Sequence, residues 1–501
     1  MKKSLVAISI IAVLGAAWSG ASWYTGKLIE QRMDDVVNNA NDQLKKYWPD
    51  AGIKLSYENY QRGVFSSQIR FVLRASANGA VLGQDDEVAL LETIDHGPFP
   101  LIQLKQFNLL PCMASVHSEL ERTPASYVFF FITNGKSPIV ADTRVAYNGD
   151  ASTALDIPSM DYQHDEFLLK FSGLRLNLDI SHDLKTGKLD LTHESTVATG
   201  PDNVKFTLQG LMLKGEIHGG RFYTALGNQA LGLKRLQFVT DGREETQMDN
   251  LTLTNQLDEA GSNLSQKLSY SVDNLKIKGH DLGGGKLVVN IDNLDAKATQ
   301  TFIDRLNQQT ASTLRHTSEN DGLRFVEIFE QTLPPLLKAN PTIHIAPLSW
   351  KNNKGEGILT FNLDLKNPEH DGTTAVSLAQ KLSKWVKRLE AHLTVPLPMA
   401  TEASAQIMQL NGASTQEAQT LAPQQLQNII ELGQRFKLVT LKDNVIGSDF
   451  RYVDQQVELN GQQMSLEAFI TSLTSTGAAE ESGVPATEDT APEPEQPAQC
   501  H

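Results

Sequence analysis

From Ile53 onward, apolar residues recur at every second position rather than at every third or fourth. Leu174, Leu176, Leu178 and Ile180 alternate with Arg175, Asn177 and Asp179, and Val204, Phe206 and Leu208 alternate with Lys205 and Thr207. The scheme returns at Leu268, Tyr270 and Val272, at Leu287, Val289 and Ile291, and at Leu359, Phe361, Leu363 and Leu365. A side-chain period of two belongs to a strand with one dry and one wet face, so the pattern predicts half-buried antiparallel strands. Asn134-Gly135, Asn148-Gly149, Asp241-Gly242 and Asn460-Gly461 are the dipeptides that tight hairpin turns demand. Gly210 shifts the apolar phase of its run to Leu211 and Leu213, which predicts a bulge.

Helical period is confined to Thr299–Leu314, Leu323–Leu337, Ala375–Leu389, Thr401–Leu410 and Pro423–Phe436, the last with its proline expected in the first turn. Residues 53–295 therefore read as a β-rich lobe and 296–472 as a mixed lobe. No Pro-, Gly- or Ser-rich linker separates them, so they are expected to form one long assembly. The fold class is α+β, mostly β, on a long antiparallel sheet with helices in the C-terminal lobe.

The start of the chain has a different pattern. After Lys2 and Lys3, a nearly uninterrupted apolar run extends from Leu5 to Trp23 and Tyr24, with no charge before Lys27. Twenty helical residues rise about 30 Å, the thickness of a bilayer's hydrocarbon core. Residues 1–24 are thus expected to be a cytoplasmic start and transmembrane anchor, with Trp18, Trp23 and Tyr24 at the far interface and the body outside the cytoplasm. A cleaved secretory signal is the alternative, disfavoured by the length of the run. Leu28, Ile29, Met33, Val36, Val37, Ala40 and Leu44 keep helical spacing up to Pro49, so 25–49 is expected to be an amphipathic membrane-proximal helix.

The net charge of -15 argues against nucleic acid as a partner, because neutralising phosphates needs a concentrated basic surface. Two cysteines, Cys112 and Cys500, cannot make a disulfide framework. Residues 473–501 are acidic and proline-rich, a composition expected to stay disordered and dispensable for folding.

Candidate chemistry is sparse. Gly279-His280-Asp281-Leu282-Gly283-Gly284-Gly285-Lys286 misses the phosphate-loop spacing, and Leu287 stands where Ser or Thr would bind magnesium, so a turn between strands is expected. His193-Glu194 lacks a second histidine four residues on, and its surroundings alternate like a strand. Cys112 reads as a small packed hydrophobe, and Asp85-Asp86-Glu87 as a solvated loop from which a calcium site could start. No catalytic residue, cofactor or metal is expected. Two segments combine unusual residues more tightly. In one, Tyr57, Tyr60, Arg62, Gly63 and Phe65 form an Arg-Gly corner where Arg62 is expected to stack on Tyr57 or Tyr60; in the other, His96, Gly97, Pro98 and Phe99 form a rigid turn. Both are read as structural corners that fix how the sheet meets the membrane-proximal helix.

These residues carry a resemblance. Trp-Tyr-Thr-Gly-Lys at 23–27, Tyr57 to Ser67, His-Gly-Pro-Phe-Pro at 96–100, Ala346 to Asn352, Met399 to Glu402 and Leu459 to Met464 resemble the YdgA/YihF family of bacterial inner-membrane proteins of unknown function. The resemblance implies a single-pass inner-membrane protein with a periplasmic body, and it supplies no catalytic residue. The function expected is non-enzymatic. If helices are too few to cover every strand, the sheet would curl into a trough lined by residues such as Leu174, Leu176, Leu178, Phe206 and Val289 and bind lipid. The alternative is an interaction protein that buries this face in a homodimer or an envelope partner.

Overall fold

The computed structural model describes residues 2–47, 51–75, 86–105, 107–223, 225–313, 334–367 and 377–472. The expected helix 323–337, the start of the 375–389 helix, Asp85, Cys500 and the tail lie wholly or largely outside them. Helix α1, Lys2–Tyr47, runs without a break across the boundary expected at 24/25. Strands follow: β1 Ile53–Arg62, β2 Ser66–Ala75, β3 Glu87–His96, β4 Ala114–Leu120, β5 Val140–Val145, β6 Ala151–Ile157, β7 Met160–His164, β8 Phe167–Phe171, β9 Leu174–Ile180, β10 Thr186–Thr199, β11 Lys205–His218, β12 Leu226–Thr240, β13 Arg243–Ala260, β14 Asn263–Ile277, β15 His280–Asp295, β16 Thr342–Asn352, β17 Gly355–Leu365, β18 Val386–Pro396, β19 Thr440–Lys442, β20 Val445–Val453, β21 Gln456–Leu459 and β22 Gln462–Ser465. The helices among them are α2 Leu101–Lys105, α3 Tyr127–Ile132, α4 Ala296–Thr313, α5 Leu378–Trp385, α6 Leu397–Leu410 and α7 Thr415–Arg435.

All pairings are antiparallel and belong to one sheet that meanders almost in sequence order. Each strand from β1 to β6 pairs with the next, β6 pairs with β9, and the chain of partners continues from β9 to β18, then β20, β21 and β22. The exceptions are short. β8 shares an edge of β10 with β9, β7 flanks β8, and β19 lies beside β20. β1 and β22 do not pair with each other, so the sheet is open. Two-residue turns with positive φ explain the tight reversals at Asp241-Gly242, Lys278-Gly279 and Asn460-Gly461.

Several boundaries differ from the sequence reading. Asn134-Gly135 ends α3 instead of joining two strands, because Tyr127–Ile132 folds into a helix inside the β-rich lobe. The 375–389 helix stops at Trp385, and Val386 to Leu389 already pair in the sheet with β17. Pro423 lies inside α7, whose start is set by a capping box of Ser414 and Glu417. Gly210 has φ +64, yet the registers of β11 with β10 and β12 are the same on both sides of it. It marks a shared change of phase and no inserted residue.

Hydrophobic clusters sit at both ends of the sheet and along one edge of its middle strands. Ile29 and Met33 of α1 pack with Ile69, Ile94 and Ala114. Leu226, Leu257, Leu264 and Ala296 form a second cluster at the start of α4, and Tyr452, Val457, Leu459 and Leu466 a third. The helices that pack most on the sheet are α1 on β1 and β3 and α6 on β15 to β18. Among the described residues, no helix is long and apolar enough to cross a membrane; the side chains of residues 1–13, which hold much of the apolar run, lie outside them.

Candidate functional site: an apolar row and the junction at its end

Residues paired directly across antiparallel strands share a face. Following the pairs from β6 gives Leu155, Leu176, Leu191, Leu213, Leu231, Leu253, Tyr270, Leu287, Leu348, Leu359 and Leu393, one apolar residue per strand through to β18. Ten inter-strand steps at ~4.8 Å make this row about 48 Å long. None of its members is fully buried, and Tyr270 and Leu348 are 37% and 43% exposed. Flanking positions widen it. Leu178 and Leu189 pair beside it, as do Leu268, Val289, Ile345 and Phe361 farther along. Leu174 pairs with His193, whose ring is buried, stacks on Phe171 at 4.7 Å and bonds Gly173 O and Thr196 Oγ1, both at 2.7 Å. Phe206 pairs with Phe238 beyond the change of phase at Gly210. All five of the apolar-face residues expected from sequence are half-buried.

The opposite face is charged. Directly opposed residues form ion pairs between Arg175 and Asp156, Lys188 and Glu216, Arg235 and Asp249, and Arg388 and Asp364. Arg70 is shared by Glu58, Glu87 and Glu121, and Arg74 by Glu58 and Glu87. Glu87 is thereby part of β3 and of an ion-pair network. Its carboxyl is held below the usual range, first by the bond from Arg70.

In the other direction the row continues from Leu155 to Ala141, Ser118, Glu92 and Ile69, and so ends under α1. Glu92 is its one charged member. Ser118 Oγ donates to Glu92 Oε1 at 3.1 Å, no cation among the described residues pairs with it, and burial pushes its carboxyl pKa up.

The junction itself is built from three separate segments. Ser22, Thr25, Gly26, Ile29, Met33 and Val37 form a buried stripe at helical spacing that lays α1 on the sheet. Gly26 is there because the His96 ring occupies the space of a side chain: a Cβ would lie 2.3 Å from its Cε1. His96 is 1% exposed, bonds Ser67 Oγ through Nε2 at 2.8 Å and Val64 O through Nδ1 at 3.1 Å, and is pushed by burial below its ordinary pKa. Tyr60 Oη donates to the same Ser67 Oγ at 3.2 Å. Gly97 has the same reason for being glycine, since a Cβ would meet Cys112 O at 2.0 Å. Tyr57 Oη donates to Asp34 Oδ1 at 2.8 Å, and Asn41 bonds both backbone groups of Leu55. Near the other end of the interface, Trp18 packs on Phe65 at 4.8 Å and donates through Nε1 to Phe99 O at 3.2 Å. Arg62 does not stack on Tyr57 or Tyr60. It lies 5.5 Å over Trp23 and pairs with Glu30 at 2.9 Å, because α1 brings a larger ring and a carboxylate to it. Gly63 makes the turn to Ser66, and Pro98 receives the Cys112 N–H.

Ser67 and His96 have the separation of a nucleophile and its base. Here a backbone carbonyl, not a carboxylate, orients the ring, and both side chains are sealed from solvent. The pair joins the two corners, with the His96 ring filling the gap left by Gly26. Cys112 is buried, with burial raising its thiol pKa. Gly279 makes the β14–β15 turn, and Gly283 to Gly285 let neighbouring strands approach. Among the described residues no cluster of His, Cys, Asp or Glu could hold a metal. Sequence reasoning missed Gly26, Ser67 and Glu92. A signal existed for the first two, since both lie in segments already singled out at 23–27 and 57–67.

The DUF945 family, described as a bacterial protein of unknown function, matches residues 1–467. Protein YdgA of Escherichia coli strain K12 is 36% identical over 94% of this chain and 96% of its own length. The uncharacterised YihF of the same strain is 27% identical over 93% and 98%, and an uncharacterised Haemophilus influenzae protein is 24% identical over 61% and 86%. No solved structure matches the chain.

Proposed function

The chain belongs to the DUF945 family of bacterial proteins, and we propose that it is a single-pass inner-membrane protein whose periplasmic body binds lipid acyl chains along the apolar row. The observation that carries this reading is the half-buried row from Leu155 to Leu393, which runs between the end of the sheet that α1 covers, beyond Leu155, and the strands β15 to β18 on which α6 packs. Contiguous apolar surface of this extent is uncommon on a face that water alone must cover. Its length of about 48 Å is roughly three times the ~15 Å depth of one leaflet's hydrocarbon. If lipid removed a further ~30 Å² from each side chain of the row, the gain at ~25 cal/mol per Å² would be about 8 kcal/mol, a micromolar affinity before ordering costs.

The membrane anchor is supported by Lys2 and Lys3 ahead of the apolar run, by the aromatic residues at its far end and by the continuity of α1 into the body. The sealed Ser67–His96 pair supports a non-enzymatic role. The test is mass spectrometry of lipid extracted from gently purified full-length protein and from its Leu176→Asp and Leu213→Asp variants. The expected result is copurifying lipid in the parent and folded variants that carry less than a third as much. A lipid-free parent that is dimeric would favour burial of the face against a second copy. Unfolding of both variants would mean that the row is a closed core, since an unpaired charge buried there costs several kcal/mol.

A further inference from the structure

We propose that the segment Phe99 to Leu110 is a second membrane contact, a lipid-surface anchor that inserts beside α1. This rests on the reading of α1 as membrane-embedded. The segment places apolar side chains in the open: Phe107 is 92% exposed, Leu109 69% and Leu110 66%, with Leu101 and Phe99 at 38% and 37%. Its position is fixed by the bond from Trp18 Nε1 to Phe99 O, within the apolar run of α1. Trp18 lies six residues before Tyr24, about 9 Å farther in along the helix axis. A corner of the body that touches α1 at this level is therefore at the depth of the lipid interface, and whatever it exposes there faces lipid.

The backbone of the segment suits that place, because polar groups entering a bilayer interface need partners of their own. Leu104 N donates to Pro100 O, Phe107 N to Leu104 O, Asn108 N to Gln103 O and Leu110 N to Asn108 Oδ1. The Asn108 and Gln103 side chains bond each other at 2.8 Å, and Gln103 in turn donates to Ser115 Oγ at 3.1 Å. Between Gly97 and Met113 the only charged residue is Lys105. In a chain of net charge -15, this segment carries no acid of its own and one cation suited to anionic headgroups; the neighbouring Asp95 accepts from Ile102 N at 3.3 Å.

The test uses the full chain in vesicles of phosphatidylethanolamine and phosphatidylglycerol, with a fluorophore on single cysteines in a Cys500→Ser background, where buried Cys112 is shielded from labelling. Labels at Phe107→Cys and Leu110→Cys are compared with Leu14→Cys on α1 and Asp165→Cys on an exposed hairpin. Nitroxide on the upper acyl chain is expected to quench positions 14, 107 and 110 at least twofold and to leave 165 unchanged. Quenching at 14 without quenching at 107 and 110 overturns the inference and leaves the α1 anchor standing. Absence of quenching at 14 overturns the anchor, and with it the inference.

Discussion

Glu92 shows how one side chain can set a pH dependence. It sits in an apolar row with a single hydroxyl donor, and its folded pKa is raised by burial. The folded state thus holds a proton that the unfolded state releases, so this residue's contribution to stability is greatest below the unfolded carboxyl value of about 4.3 and is lost as pH rises through the folded value. Glu92→Gln keeps the acceptor for Ser118 and removes the charge. It should melt at the wild-type temperature near pH 4 and above it at pH 8, by thermal scans of detergent-solubilised protein. Gly26 makes a second case. Alanine there gains about 1 kcal/mol of helix propensity but puts a Cβ into the buried His96 ring, at a cost of about 1–3 kcal/mol. The urea midpoint of Gly26→Ala should fall, whereas Gly20→Ala, with open space around it, should hold or rise. The segments around Gly26, Ser67 and His96 were all recognisable in the sequence. Their meeting was not, because the contacts join residues separated by up to 70 positions, and nothing local encodes which ring fills which gap.

Among the elements, the strands were the most legible. Strands lie where alternation at 174–180, 204–208 and 359–365 predicted them, but of these burial alternates only in β9: Thr207, expected on the wet face, is buried, and Leu359 to Leu365 are half-buried throughout. Boundaries were harder where tertiary contacts outweigh local propensity. Leu382 and Leu389 are in helical register by spacing, yet Leu389 pairs with Leu363 because the sheet offers backbone partners to Val386 onward. Nor does Pro423 start α7, since the capping box upstream already satisfies the first turn. The glycines of β15 separate turn chemistry from close approach. Gly279 and Gly283 both have positive φ, but a Cβ at Gly279 meets nothing within 4 Å, while at Gly283 it would lie 1.9 Å from Lys351 O. Gly279→Ala should therefore cost only the backbone strain of about 1 kcal/mol, and Gly283→Ala at least about 2 kcal/mol because β15 and β16 must separate. Urea titration of the two variants, with hydrogen exchange across 283–292 and 342–351, would distinguish them.

At the scale of the molecule, period-two alternation predicted a long sheet with a dry face but could not say which residues align across it. Registers are set by turn lengths and by phase changes such as those at Gly210 and between Ile345 and Leu348, which only the paired strands reveal. The near-sequential strand order has a consequence for how such a chain comes to exist. Each new strand finds its partner already made by the residues just synthesised, so most contacts close short loops, and the entropy cost of ordering is met in small steps. Folding can advance from the α1 end like a ratchet as the polypeptide emerges, with β1 to β3 and their helix as the seed and every finished strand the template for the next. A chain of this length with remote pairings would expose long unpaired edges until its last residues arrived. Here the growing edge is one strand wide at any moment.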